Sequence, residues 1–117
     1  MQHKDLVFFS DAQIEEAARL FATLSEPSRL RLLRALMDGP MTVTELVEAT
    51  GIKQGNASKQ LNILYEARLL ARNRDGNFIR YSIGDNAVIQ LCNLVCRKIQ
   101  NDAYARVAAF NPKSEIK

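Results

Sequence analysis

The sequence predicts a mainly α chain with one small β-hairpin. Three observations carry that expectation. Apolar residues recur at helical spacing in four segments before residue 67 and in a fifth from 86 to 109. Between them, ARNRDGNFIRYSI alternates with a period of two around Asp75-Gly76. No internal repeat, low-complexity stretch or linker interrupts the 117 residues, so one domain over 1–117 is expected.

The first helix is expected from Asp11 to Leu24. Ile14, Ala17, Ala18, Phe21 and Leu24 share one side, Ser10 is a suitable N-cap, and acidic residues fill the first turn. Pro27 suits the first turn of a second helix, whose apolar side is Leu30, Leu33, Ala35, Leu36 and Met37. Gly39-Pro40 stops it. Thr42 or Thr44 caps a third helix with Leu46, Val47 and Ala49 facing the core, and Gly51 ends it.

A short turn, GIKQ, leads into the fourth helix, QGNASKQLNILYEARLL. Ala57, Leu61 and Leu64 form its stripe, and Gln54, Asn56, Ser58, Lys59, Gln60 and Asn62 are expected largely off it. Two short helices joined by a glycine-containing turn, the second polar outside, make a helix-turn-helix over 43–66. In the alternating segment, Phe78, Ile79, Tyr81 and Ile83 favour strand. A basic hairpin over 69–83, directly after a recognition helix, is a wing. The last helix, 86–109, carries Val88, Leu91, Cys92, Val95, Cys96, Ile99 and Ala103 on a broad apolar stripe. The tail NPKSEIK is expected to fray.

Composition bounds the function. Apolar residues make up 47% and charged residues 25%, ordinary for a globular protein. The net charge is only +3, but Lys53, Lys59, Arg68, Arg72, Arg74 and Arg80 face just Glu66 and Asp75 within their segment. A basic segment on a near-neutral body is an electrostatic footprint for a polyanion. No apolar run approaches the roughly 18 residues that span a membrane. MQHKDLVFFS is too short in apolar length for a signal peptide, so a cytoplasmic protein with reduced Cys92 and Cys96 is expected. His3 is the lone histidine, and no nucleophile, acid–base or metal-protease arrangement forms around it. Neither an enzyme nor a bound cofactor is expected.

The chemistry of the polar face fits double-stranded DNA. The major groove, about 12 Å wide, admits one helix with small or polar residues at its leading end. Lys53, Gln54, Gly55, Asn56, Ser58, Lys59 and Gln60 meet that demand. Gly55 and Ala57 allow close approach, Gln54, Asn56 and Gln60 suit the paired donor and acceptor of adenine, and Lys59 suits guanine or a phosphate. Arg72, Arg74 and Arg80, with Asn77 at the turn, suit the backbone or a narrow minor groove.

These motifs resemble the ArsR/SmtB family of winged helix-turn-helix repressors. Leu24-Ser-Glu-Pro-Ser-Arg-Leu-Arg-Leu-Leu is similar to the family's L-x-x-P-x-R-L-x-I-L entry. Gly51 through Leu61 resembles its G-L-S-Q-S-T-V-S-R-H-L recognition segment, and Leu69 through Tyr81 its G-L-V-x-x-R-x-G-R-x-x-x-Y wing. Together they cover more than half the chain in the right order. The resemblance implies four helices, two strands and a fifth helix, with a homodimer joined by the first and last helices (11–24 and 86–109). It also implies an imperfect palindromic operator and release by an inducer. The dimer has a physical argument too, since the last helix is apolar over too wide an arc for so small a body to cover. Two-fold symmetry would place two recognition helices about 34–36 Å apart.

The family's metal sites are not matched. Where the resemblance puts two cysteines in the third helix, Thr42-Val43-Thr44-Glu45-Leu46 offers hydroxyls, which are poor soft-metal ligands. On the last helix Asp85 matches a first ligand, but Ala87, Lys98 and Asn101 hold the remaining positions. No resident metal is therefore expected. Cys92 and Cys96, four apart, share one helix face. One reading makes them packing residues. A second makes them a thiol switch for persulfide or oxidant, and a third a metalloid (arsenite) site. Helix Cβ atoms four apart sit about 5–6 Å from each other against the roughly 3.8 Å of a disulfide, so a bridge within the helix is disfavoured.

Three function classes remain at this stage: a repressor sensing a small inducer at its dimer interface, a DNA-binding module without an effector, and a protein-interaction winged helix. The wing arginines argue against the last.

Overall fold

The computed structural model describes residues 9–110. His3 and the tail from residue 111, on which two of the expectations above fall, lie outside the described residues. Two compact units divide at Gly84.

The first unit runs α1 (Asp11–Thr23), α2 (Pro27–Leu36), β1 (Met41–Thr42), α3 (Val43–Thr50), α4 (Gln54–Glu66), β2 (Leu70–Asp75) and β3 (Phe78–Ile83). Three helix starts are fixed by side chains. Ser10 and Gln13 form a reciprocal capping box on α1. The Glu26 carboxylate accepts the Arg29 N–H at 3.1 Å, with Pro27 at the first position of α2. Thr42, rather than Thr44, caps α3 with Glu45 as its box partner. Gly51 closes α3 at φ 76°, the left-handed conformation that glycine adopts without penalty.

The end of α4 uses the same geometry with a costlier residue. The Leu69 N–H donates to the Leu64 carbonyl at 3.0 Å and the Arg68 N–H to Tyr65 at 2.9 Å. Leu64 and Leu69, both buried, meet the apolar requirement of this motif. Arg68 alone among non-glycine described residues has positive φ, 65°.

The core lies where α2, α3 and α4 pack on one another beneath the sheet. Leu32, Leu33, Leu36, Leu46, Leu61 and Leu64 are its fully buried large side chains, with Ala57 letting α4 approach. The stripe on α2 is turned from expectation: Leu30 and Met37 are exposed and Leu32 lies inside. Ala49 is exposed on α3. None of α1 is buried, and Ile14 (52% exposed) and Phe21 (58%) open to solvent.

The sheet has three strands, not two. β1 pairs with β3, matching Met41 to Tyr81 and Thr42 to Arg80, and gives the order β1-β3-β2, all antiparallel. A two-residue strand is too short to show alternation, so the periodicity did not reveal it. The hairpin turn is Gly76-Asn77, one residue later than Asp75-Gly76, because Asp75 pairs with Phe78. Gly76 supplies the positive φ, 64°. At the end of β3, Gly84 is needed for space: an added Cβ would lie 2.8 Å from the Leu70 carbonyl carbon and 2.9 Å from the Ala71 nitrogen.

The second unit is α5 (Asn86–Phe110), one residue longer than expected. The Asp85 carboxylate accepts the Ala87 N–H at 2.9 Å at its start. Val88 is its one buried residue, while Leu94, Val95, Ile99, Tyr104 and Val107 are exposed. No helix among the described residues is long and apolar enough to cross a membrane.

Candidate nucleic-acid interface

The leading end of α4 is open. Lys53 stands at the N-cap but makes no side-chain cap bond, unlike Ser10, Glu26 and Thr42 on the three preceding helices. The first N–H groups of a helix carry the positive end of its dipole and suit an anion. Lys53, Gln54, Gly55, Asn56, Ser58 and Lys59 are all exposed here. Neither lysine belongs to an ion pair among the described residues.

Gln60 departs from expectation. It is 7% exposed, on the face of α4 that carries Ala57, Leu61 and Leu64. Both ends of its amide are engaged: Arg29 Nε donates to Oε1 at 2.7 Å, and Nε2 donates to Asn56 Oδ1 at 2.9 Å. A residue three after Ala57 and four before Leu64 returns to the inner face, so Gln60 does not reach a base edge from this position. Arg29 also donates from Nη1 to the Thr23 carbonyl at 3.1 Å, so one guanidinium joins the last turn of α1, the start of α2 and the recognition helix. Sequence reasoning quoted Arg29 only within a motif. The available signal was a cation at helical spacing from Leu32, Leu33 and Leu36, which demands a buried acceptor.

The wing divides its arginines between two faces. Side chains alternate along a strand, so Arg72 and Arg74 share a face with Leu70 and Arg80 lies on the other. Arg72 sits 3.9 Å from the Tyr65 ring centroid, a cation–π contact bracing β2 against α4. Arg80 Nε donates to Asp75 at 2.8 Å and Nη1 to Glu45 at 3.3 Å. Grouping Arg80 with free phosphate contacts is therefore corrected: two carboxylates already face it. All three side chains are substantially exposed, so solvent screens both pairs and they add little to stability. The Thr42 backbone N–H, with the Arg80 charge adding to it, holds the Glu45 carboxyl below its ordinary range. Arg74 is exposed with no ion pair among the described residues, and Asn77 stands exposed at the tip.

On α5, Cys92 is half-buried and Cys96 exposed, both as free thiols. Burial pushes the Cys92 thiol up, which disfavours its thiolate. Among the described residues no three His, Cys, Asp or Glu side chains come together as a metal cluster.

A two-helix reader followed by a β2–β3 hairpin, with β1 completing the sheet, defines a winged helix-turn-helix, and comparison with known proteins bears this out. Residues 26–72 match the model of the bacterial regulatory proteins of the arsR family. A probable mercury resistance operon repressor of Streptomyces lividans is 38% identical over 90 residues, covering 76% of this chain and 72% of the relative. The crystal structure of AntR, an antimony-specific transcriptional repressor, superposes with a TM-score of 0.77 at 35% identity, covering 87% of this chain and 93% of that one. A homodimeric winged helix-turn-helix DNA-binding domain from Mycobacterium bovis matches with a TM-score of 0.70 at 28% identity, over 81% of this chain and 91% of that one. The chain belongs to the ArsR family of bacterial regulatory proteins, whose named relatives here are repressors of transcription rather than enzymes.

Proposed function

We propose that this chain is a homodimeric, sequence-specific DNA-binding repressor of transcription, released from an imperfect palindrome by an inducer that reacts at Cys92 and Cys96. The observation that carries the DNA reading is the uncapped, exposed start of α4, with Lys53, Lys59 and Arg74 free of ion pairs among the described residues. Backbone N–H groups there donate to a phosphate, Asn56 and Gln54 face base edges, and Arg74 with Asn77 takes the neighbouring backbone. The exposed apolar residues of α1 and α5 support a second copy as their cover, as does the likeness to the homodimeric Mycobacterium bovis domain.

For the inducer, persulfide or oxidant reacts at Cys92 and Cys96, the two free thiols on α5, at the dimer interface. A second reading is favoured by the likeness to an antimony-specific repressor. Two soft sulfurs on one helix face bind a trivalent metalloid, with a third ligand from outside the pair.

Fluorescence anisotropy of the reduced protein on the DNA upstream of its own gene tests these points together. Binding is expected to weaken steeply with salt, and Arg74→Ala to reduce the log–log salt slope by about one. An unchanged slope would remove Arg74 from the backbone contact. Treatment with tetrasulfide, peroxide, arsenite, antimonite or zinc, followed by intact mass, identifies the chemistry. Release with a mass change confined to Cys92 and Cys96 supports the thiol reading. Tight binding under every treatment makes both cysteines packing residues.

A further inference from the structure

The Arg29–Gln60–Asn56 chain, anchored on the buried Gln60, orients the Asn56 amide. An arginine side chain only donates hydrogen bonds. Whichever atom of Gln60 lies 2.7 Å from Arg29 Nε must therefore be its oxygen. This assignment follows from chemistry and not from the resemblance of amide oxygen and nitrogen. The Gln60 nitrogen is then the atom facing Asn56, and it requires an acceptor, which only the Asn56 oxygen supplies at 2.9 Å. Gln60 itself is 7% exposed and its two bonds are part-buried, with Asn56 at the solvent-facing end. Asn56, exposed in the first turn of α4, is left with its carbonyl turned along the helix and its NH2 group outward.

We infer that Arg29 and Gln60 are positioning residues that make Asn56 a donor-only reader, selecting guanine rather than adenine at its base pair. Adenine recognition by an amide needs one acceptor and one donor, for N6 and N7. Guanine offers two acceptors, N7 and O6, and thymine one, O4. An asparagine whose carbonyl already accepts from Gln60 presents its NH2 to guanine N7 and O6, while adenine N6 is left only the second lone pair of that inward-turned oxygen. This departs, at Asn56, from the expectation that Gln54, Asn56 and Gln60 suit adenine, and it rests on the DNA-binding reading above.

The experiment is selection from a randomised duplex pool with the full chain and its variants. The wild type is expected to enrich guanine at one position per half-site, and Asn56→Ala to lose that preference alone. Gln60→Glu replaces the amide by a group that only accepts. It still accepts the hydrogen bond from Arg29 Nε–H, but now requires a donor from Asn56, which turns the Asn56 carbonyl outward. Preference at the same position is expected to move to cytosine or adenine, whose exocyclic amines donate. In an Asn56→Ala background Gln60→Glu should move nothing there. Arg29→Lys, which keeps a donor, should retain guanine, and Arg29→Met should broaden the choice. Adenine at the wild-type Asn56 position, no Asn56-dependent position, or an unmoved preference in Gln60→Glu overturns the inference. A pool that enriches no sequence fails the DNA reading instead. NMR of the free protein then still tests the orientation: side-chain NH2 protons of Gln60 should exchange slowly and those of Asn56 fast, and the reverse order overturns it.

Discussion

The same apolar periodicity has opposite fates in the middle of the chain and at its two ends. On α2, α3 and α4 it ends in leucines with essentially no exposure. On α1 and α5 it leaves Ile14, Phe21, Leu94 and Ile99 open, the last at 61%. Periodicity states that a face must be covered, but not by which chain. In the middle, three short helices bring their own stripes together. At the ends, the pattern leaves apolar faces open, which the dimer proposed above would cover.

The sharpest break in this comparison is inside the core. Leu61→Ala should lower unfolding free energy by about 2–5 kcal/mol, because α4 leaves a cavity where α2 and α3 meet it. Denaturant titration checks this, and a loss well under 1 kcal/mol would mean the core relaxes around the gap. Ile99→Glu should do the converse, keeping far-UV helicity while shifting the dimer towards monomer in sedimentation velocity and weakening DNA binding. If it stays as dimeric as the wild type, α5 is not the interface.

Smaller effects test the joints. Arg68→Gly should raise stability by about 0.5–1 kcal/mol by removing the left-handed strain at the end of α4. A decrease would show that the Arg68 side chain does more than its backbone costs. The smallest concerns acid. The folded-state pKa of Glu45 lies below its ordinary 4.5, so its contribution is fully present above that pH and fades as pH falls through the folded value. Glu45→Gln should flatten this part of the stability–pH curve, and an unchanged curve would assign the slope to other carboxylates.

Much of this was legible in the sequence because local signals agreed. Ser10, Pro27 and Gly51 mark the boundaries that they suggested, Thr42 is the cap of the two threonines offered, and the hairpin turn lies one residue later than Asp75-Gly76. What stayed hidden depends on partners distant in sequence. β1 exists only because β3 is beside it. Gln60 reads as an outward polar residue until Arg29, 31 positions earlier, is seen to hold it. Arg80 counts as a free cation until Asp75 and Glu45 are found facing it. Charge can be tallied from a sequence, but its neutralisation cannot.

The uncapped start of α4 has a consequence for hydration. Without a side-chain acceptor, the amides of Gln54, Gly55 and Asn56 are left to bulk water in the free protein. In the DNA-binding mode proposed above, docking on a phosphate would exchange those waters for one anion, so complex formation would release solvent as well as counterions. Excluded osmolytes such as sucrose should therefore tighten the complex at constant salt, and adding a cap with Lys53→Ser, which gives the helix its own acceptor, should reduce that response.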